Sequence, residues 1–156
     1  MKKLFLVLVL FTSTSILAQD VDTYIELLKT DVKANKKAII TDVMVFTEEE
    51  SEAFWPIYRE YEFELDKLSD KRISNIKDFA VNFDSLTDEK AEQLIENAFD
   101  FQEERLDLNK KYYNKFAEAL TPTVAAKYMQ LEYEIQALID LEIYSNLPLA
   151  EKPGTE

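Results

Sequence analysis

The chain lacks both histidine and cysteine. Histidine is the usual general base at neutral pH, cysteine is the usual thiol nucleophile, and together they supply the ligands that zinc and copper prefer. Their absence excludes catalytic triads, thiol chemistry and soft-metal sites, so we expect neither an enzyme nor a cofactor. Without cysteine there is also no disulfide and no lipid-modified cysteine of the lipoprotein kind.

Glycine occurs only once, at Gly154. Tight hairpins, phosphate-binding loops and left-handed turns most often need glycine. The sequence therefore predicts an all-α protein whose helices are joined by short loops, with no sheet.

Basic residues are fewer than acidic residues. The chain has 18 Lys and Arg and 31 Asp and Glu, which gives a formal net charge of −13. Nucleic acids and anionic lipids are bound through Lys and Arg. This charge balance argues against both as partners and leaves basic partners open.

The N-terminus has the three parts of a secretory signal peptide, which are two lysines, an apolar run from Leu4 to Phe11, and a small, polar stretch that ends at Ala18. The run has about 8 residues, whereas a membrane span needs roughly 20. We expect cleavage near Ala18, which removes residues 1–18, takes the formal charge from −13 to −15 and leaves no membrane-inserted segment.

Apolar residues recur at spacings of three and four along the rest of the chain, which predicts amphipathic helices. The predicted helices are four and lie at about 22–45, 48–82, 88–119 and 122–145. In the first of them, the predicted buried row includes Ile39, Val43 and Phe46. We expect a single helical domain over 19–146 and, since two prolines follow, a disordered tail at 147–156.

Three threonines mark helix starts, at Thr47, Thr87 and Thr121. A threonine oxygen accepts a hydrogen bond from an unpaired N–H of the first helical turn, and acidic residues or proline follow where the helix favours them. Glu50, three residues after Thr47, completes a predicted capping box.

Pro56 lies well inside the predicted second helix. An interior proline deletes one backbone hydrogen bond and presses on the preceding turn. We therefore expect a kinked second helix and an elongated, curved bundle that leaves a concave apolar face. A kink that serves packing alone is the alternative.

Carboxylates are the only abundant side chains with catalytic or metal-binding chemistry, in runs such as 48–52 and Glu132-Tyr133-Glu134. Adjacent helical positions do not face one another, so we interpret both runs as solvated faces instead of calcium or acid–base sites. Arg72 and Arg105 fall on or beside the apolar rows, where pairing with a carboxylate of a neighbouring helix is expected.

Aromatic residues are abundant and are densest between 54 and 61. Most must be core, yet Trp55 and Ile57 point away from the main row, and exposed apolar patches usually mark binding surfaces. The candidate client- or partner-binding residues are Phe54, Trp55, Ile57, Tyr58 and Tyr61, with a purely structural role as the alternative.

The helix starts Phe46-Thr47-Glu48-Glu49-Glu50, Leu86-Thr87-Asp88-Glu89-Lys90 and Leu120-Thr121-Pro122-Thr123-Val124 resemble the Leu-Thr-x-x-Gln motifs of the Spy/CpxP-like proteins of the Gram-negative periplasm. The resemblance extends over nearly all of the chain after residue 18, in a form typical of Bacteroidetes. It implies a periplasmic, curved, helical and often dimeric protein that binds unfolded proteins without ATP or reports envelope stress.

The function that we expect from the sequence is that of an exported ATP-independent chaperone or envelope-stress sensing adaptor. Its partners would be unfolded, basic or apolar proteins, an envelope signalling protein, or a second copy of the chain in a homodimer. The alternative is a structural or regulatory helical protein that docks on one specific envelope partner.

Overall fold

The computed structural model describes residues 35–150 and contains four helices and no strand in that part of the chain. The helices are α1 at 35–44, α2 at Glu48–Asn82, α3 at Asp88–Ala119 and α4 at Pro122–Ser145, with a short 3₁₀ turn at Phe83–Ser85 after α2. The all-α prediction is confirmed. The predicted signal peptide, the first part of the predicted first helix and the last six residues of the predicted tail lie outside the described residues.

Local side-chain hydrogen bonds account for the helix starts. The Thr47 hydroxyl accepts from the Glu50 N–H at 3.1 Å, and the Glu50 carboxylate accepts from the Thr47 N–H at 2.9 Å, which forms the capping box. Thr87 and Thr121 each accept from the N–H three residues later at 3.2 Å. Such a cap contributes about 1 kcal/mol to stability, so these three threonines position the helices along the chain.

The two longest helices set the dimensions of the bundle. With 35 residues in α2 and 32 in α3, each is about 50 Å long. The connections between α2, α3 and α4 are short, which makes each consecutive pair of these helices antiparallel. Pro56 lies inside α2, which continues as one helix on both sides of it, and the predicted bend there stays a prediction.

Stacked aromatic rings form the core of the bundle. The ring centroids of Phe54 on α2, Phe116 on α3 and Tyr128 on α4 lie 4.7 to 5.0 Å apart, and all three side chains are fully buried. Tyr61 continues this core along α2 and packs edge-on against Tyr112 of α3. Truncation of such a ring to alanine lowers the free energy of unfolding by about 3 to 5 kcal/mol, so packing of these rings contributes strongly to the association of α2, α3 and α4.

The first helix, α1, lies on the α2–α4 side of this core. Its buried side chains are Lys36, Ile40 and Met44, which are spaced by four, whereas Ile39 and Val43 are 41% and 44% exposed. The predicted buried row of this helix was therefore wrong by one position. A lysine takes the place of an apolar residue because two carboxylates from other helices meet its ammonium group.

The connection from α1 to α2 contains a strained residue. Val45 has a φ of 50°, which is the left-handed region, although it is not glycine. A β-branched side chain is strongly disfavoured there, at a cost of about 1 to 2 kcal/mol. On either side of this residue the backbone groups are satisfied, because the Lys127 ammonium donates to the Val43 carbonyl at 2.7 Å and Thr47 caps α2.

Candidate functional site

The predicted aromatic cluster belongs mostly to the core. Phe54 and Tyr61 are fully buried and Tyr58 is 7% exposed, so a partner cannot contact them in this conformation. Trp55 and Ile57 are half-buried and pack against the core from its edge. The indole N–H of Trp55 donates to the Ser51 hydroxyl at 3.0 Å, which holds the ring in place. The buried members of this cluster therefore offer no surface to a partner.

A buried polar network occupies the centre of the bundle. The Lys36 ammonium of α1 lies between the carboxylates of Glu62 on α2 and Glu132 on α4, at 2.5 Å and 2.9 Å. Lys36 is 3% exposed and Glu132 is fully buried. The rings of Tyr58 and Tyr61 also lie within 6 Å of the ammonium, at 5.9 Å and 5.6 Å. Two carboxylates and two aromatic faces thus form a cage for one ammonium group.

Glu132 is the residue that joins the network together. Its carboxylate accepts hydrogen bonds from the Tyr128 hydroxyl at 3.2 Å and the Gln136 amide at 3.0 Å, in addition to Lys36. The Tyr61 hydroxyl lies 3.0 Å from Glu132 and 2.9 Å from the side-chain oxygen of buried Asn109 on α3. All four helices therefore contribute to one hydrogen-bonded cluster. The interpretation of Glu132 as part of a solvated face was wrong, because long-range donors satisfy its charge in the core.

The electrostatics of the network follow from its burial. Desolvation raises the pKa of Glu62 above its usual value, although the nearby Lys36 opposes this shift. Desolvation would lower the pKa of Lys36, but the charges of Glu132 and Glu62 outweigh it and raise that pKa. Desolvation and the charge of Glu132 also raise the pKa of Tyr61. These shifts favour a charged Lys36 and protonated tyrosines at neutral pH, as a buried ion pair with hydroxyl donors requires.

A second charged cluster lies farther along the bundle. Arg72 of α2 and Arg105 of α3 both bind Asp140 of α4, with nitrogen–oxygen distances of 2.6 Å and 3.0 Å. The guanidinium groups of both arginines lie about 5 Å from the ring of Phe101, and that of Arg72 also lies 5.2 Å from the ring of Tyr144. The expected pairing of the two arginines with a neighbouring carboxylate is present. This cluster fixes α4 beside α3.

Large apolar side chains remain exposed along the outer side of the α3–α4 pair. On α3 these side chains repeat at spacings of four and seven, and on α4 at spacings of eight and three, which keeps each row on one helical face. The ion pair between Arg105 and Asp140 joins the two helices that carry these rows. We call them the α3–α4 strip, whose members are between 48% and 66% exposed: Ile95, Phe99 and Leu106 of α3, and Tyr133, Leu141 and Tyr144 of α4.

Acidic residues surround the α3–α4 strip. Between 88 and 107, α3 carries only Lys90 and Arg105 as basic residues, and from 134 to 145 α4 carries none. The acidic residues of these two segments are Asp88, Glu89, Glu92, Glu96, Asp100, Glu103, Glu104, Asp107, Glu134, Asp140 and Glu142. The two segments that carry the strip are therefore strongly acidic, although Glu104 pairs with Lys71 and Asp140 pairs with Arg72 and Arg105.

Other features of the described residues are less suggestive of a site. An open depression of about 470 Å³ between α2 and α3 is lined mainly by polar side chains, and Lys71 and Asp78 at its edge are paired with Glu104 and Lys90. Within residues 35–150, no three acidic side chains cluster in a way that would hold a metal ion. No helix there has the length and apolar character needed to cross a membrane.

The sequence reasoning missed both the ammonium cage and the α3–α4 strip. The strip had a sequence signal, because Ile95, Phe99 and Leu106 form a second helical row beside the core row of α3. The cage had no such signal in the sequence, since Lys36 and Glu132 are 96 residues apart.

No protein-family model matches this chain, and no curated protein or solved structure is significantly similar to it.

Proposed function

We propose that this chain is an exported, non-catalytic protein of the bacterial periplasm that binds other proteins, as an ATP-independent chaperone or an envelope-stress adaptor of the Spy/CpxP-like kind. The observation that carries the proposal is the α3–α4 strip. Six large apolar side chains, each about half or more exposed, lie on two neighbouring helices. We infer that these side chains form one apolar surface, and exposed apolar patches of that kind usually mark protein-binding sites.

The chemistry of the strip suits protein segments better than small molecules. It is an outer surface of two helices, whereas small-molecule sites are enclosed and concave. Its aromatic members, such as Phe99, Tyr133 and Tyr144, are the residue types that contribute most to protein interfaces. A row of side chains at helical spacing along two antiparallel helices can accept an extended or helical apolar segment without a specific sequence.

The charge around the strip favours basic and apolar clients. The acidic margins of α3 and α4 attract a segment that carries Lys or Arg beside its apolar residues, and they repel acidic segments. The formal charge of −13 over the whole chain acts in the same direction. Anionic lipids and nucleic acids are disfavoured for the same reason.

Aggregation assays test this proposal. We expect the protein at near-stoichiometric ratios to suppress light scattering from two unrelated unfolding clients, with stronger protection of the more basic one. The variant Phe99→Gln/Leu141→Gln should need at least about tenfold more protein for the same protection, because two apolar contacts are lost. The control Phe63→Gln/Val81→Gln removes two α2 side chains that are 60% and 78% exposed, and it should protect like the wild type.

The alternative function, docking on one specific envelope partner, predicts a different outcome. In that case the wild type would protect neither client. Equal protection by the two double variants, with helical circular dichroism unchanged in both, would contradict the assignment of the strip as the binding surface.

A further inference from the structure

The described part of α1 contacts the rest of the bundle through one row of side chains. Three side chains at every fourth position, Lys36, Ile40 and Met44, are buried, and the Lys36 ammonium fills the cage between Glu62 and Glu132. The helices α2, α3 and α4 meanwhile pack on one another through rings that α1 does not supply. The described part of α1 therefore packs on helices that also pack on one another without it.

The connector from α1 to α2 is the one place where this arrangement is strained. It consists of residues 45–47, and Val45 at its start has a φ of 50° and is 77% exposed. The exposed side chain gains little from this position, so packing does not compensate the unfavourable backbone. The strain is a consequence of the reversal that brings α1 back onto its own α2 and α4.

We propose that two copies of this chain exchange α1, so that Lys36 of each copy enters the cage formed by Glu62 and Glu132 of the other. Every contact of α1 is preserved in such a dimer, including the bond from Lys127 to the end of α1. Only the connector differs, because it no longer reverses and Val45 can return to negative φ. Strained, short hinge loops are the usual origin of such exchange.

A second copy fits the groove as well as the α1 of the same chain does. The groove on α2 and α4 needs a helix that presents a lysine followed by apolar residues four and eight positions later, as Lys36, Ile40 and Met44 do. The cage has two carboxylates and two tyrosine rings, and without an ammonium group it would leave buried charge unpaired. A second copy of this chain carries the same lysine and the same apolar residues, and it therefore meets this requirement.

The first test compares a graded series at Val45. Glycine tolerates positive φ, alanine tolerates it better than a β-branched residue, and neither touches the α1 contacts. We expect analytical ultracentrifugation of the purified protein to show a dimer whose dissociation constant rises from wild type to Val45→Ala to Val45→Gly, by about tenfold or more at glycine. A wild-type protein that stays monomeric, or a dimer that is equally stable in all three proteins, would overturn the proposal.

The second test locates the exchanged helix. The chain has no cysteine, so the variant Val43→Cys/Lys127→Cys carries one thiol on α1 and one on the part of α4 that contacts it. Treatment of the dimer with a short bis-maleimide should join two chains, visible as a dimer band on a denaturing gel. A dimer in which the reagent joins the two cysteines of the same chain would be an ordinary association of closed monomers and would refute the exchange.

Discussion

Removal of the Lys36 charge is the change that tests the buried network most severely. In the variant Lys36→Met, a side chain of similar length keeps the apolar contacts, whereas the carboxylates of Glu62 and Glu132 lose their common partner. Lys36 is 3% exposed and Glu132 fully buried, so solvent cannot replace the lost ammonium group. Breaking a buried pair in this way costs about 3 to 5 kcal/mol, and we expect that loss in the free energy of unfolding at pH 7.

The loss should depend on pH with a definite sign. Burial already raises the pKa of Glu62 when Lys36 is present, and removal of Lys36 takes away the charge that opposes this shift. A carboxyl group with a raised pKa in the folded protein binds a proton more tightly there than in the unfolded chain. The contribution of this carboxyl group to folding stability is therefore complete below its ordinary pKa of 4.5, and it is lost as pH rises through the pKa of the group in the folded protein. The loss in free energy of unfolding caused by Lys36→Met should therefore become smaller as pH falls from 7 towards 4.5.

Urea unfolding followed by circular dichroism at pH 7 and pH 5 measures both effects. Lys110→Met is a matched control, because Lys110 is 64% exposed and its pair with Asp107 lies on the surface, where an ion pair contributes about 0 to 1 kcal/mol. A loss below about 1 kcal/mol for Lys36→Met at both pH values would refute the reasoning, since the cage would then be accessible to water.

Two further predictions concern alkaline stability and the interior proline. Desolvation raises the pKa of Tyr58, Tyr61 and Tyr128 above the ordinary value of 10.0, so the stability that these hydroxyl groups contribute is full below pH 10 and falls as pH rises beyond it. Ionisation of these tyrosines, followed by absorbance at 295 nm, should therefore coincide with loss of helical circular dichroism. Ionisation without unfolding would contradict their burial. Pro56→Ala should raise the free energy of unfolding in urea by about 2 kcal/mol. The substitution removes a helix penalty of roughly 3 kcal/mol, while the greater conformational freedom of the unfolded chain offsets up to about 1 kcal/mol of that gain. No gain in stability would mean that the turn before Pro56 is already relaxed.

Local sequence signals predicted the helices well. The predicted limits of the last three helices, 48–82, 88–119 and 122–145, coincide with the structure, because threonine caps and the spacing of apolar residues act within a few residues. The same signals failed in α1. A lysine counts as a surface residue in any periodicity argument, and only the distant carboxylates of Glu62 and Glu132 make Lys36 a core residue.

The candidate binding residues show the same limit of sequence reasoning. Density of aromatic residues identified a cluster around Phe54, and the partners that bury it, Phe116 and Tyr128, lie on helices far along the chain. Exposure is a property of the assembled bundle. The α3–α4 strip became recognisable only in the structure, where large apolar side chains of two joined helices remain exposed.

Site-specific photo-crosslinking to an unfolding client tests the proposed binding surface most directly. A photoreactive phenylalanine analogue replaces Phe99 of the strip in one protein and Phe63 of α2 in the other, two phenylalanines that are 64% and 60% exposed on long helices. The account predicts client adducts from position 99 and few or none from position 63. Equal adduct yields from the two positions, or adducts from position 63 alone, would contradict a client-binding strip on α3 and α4.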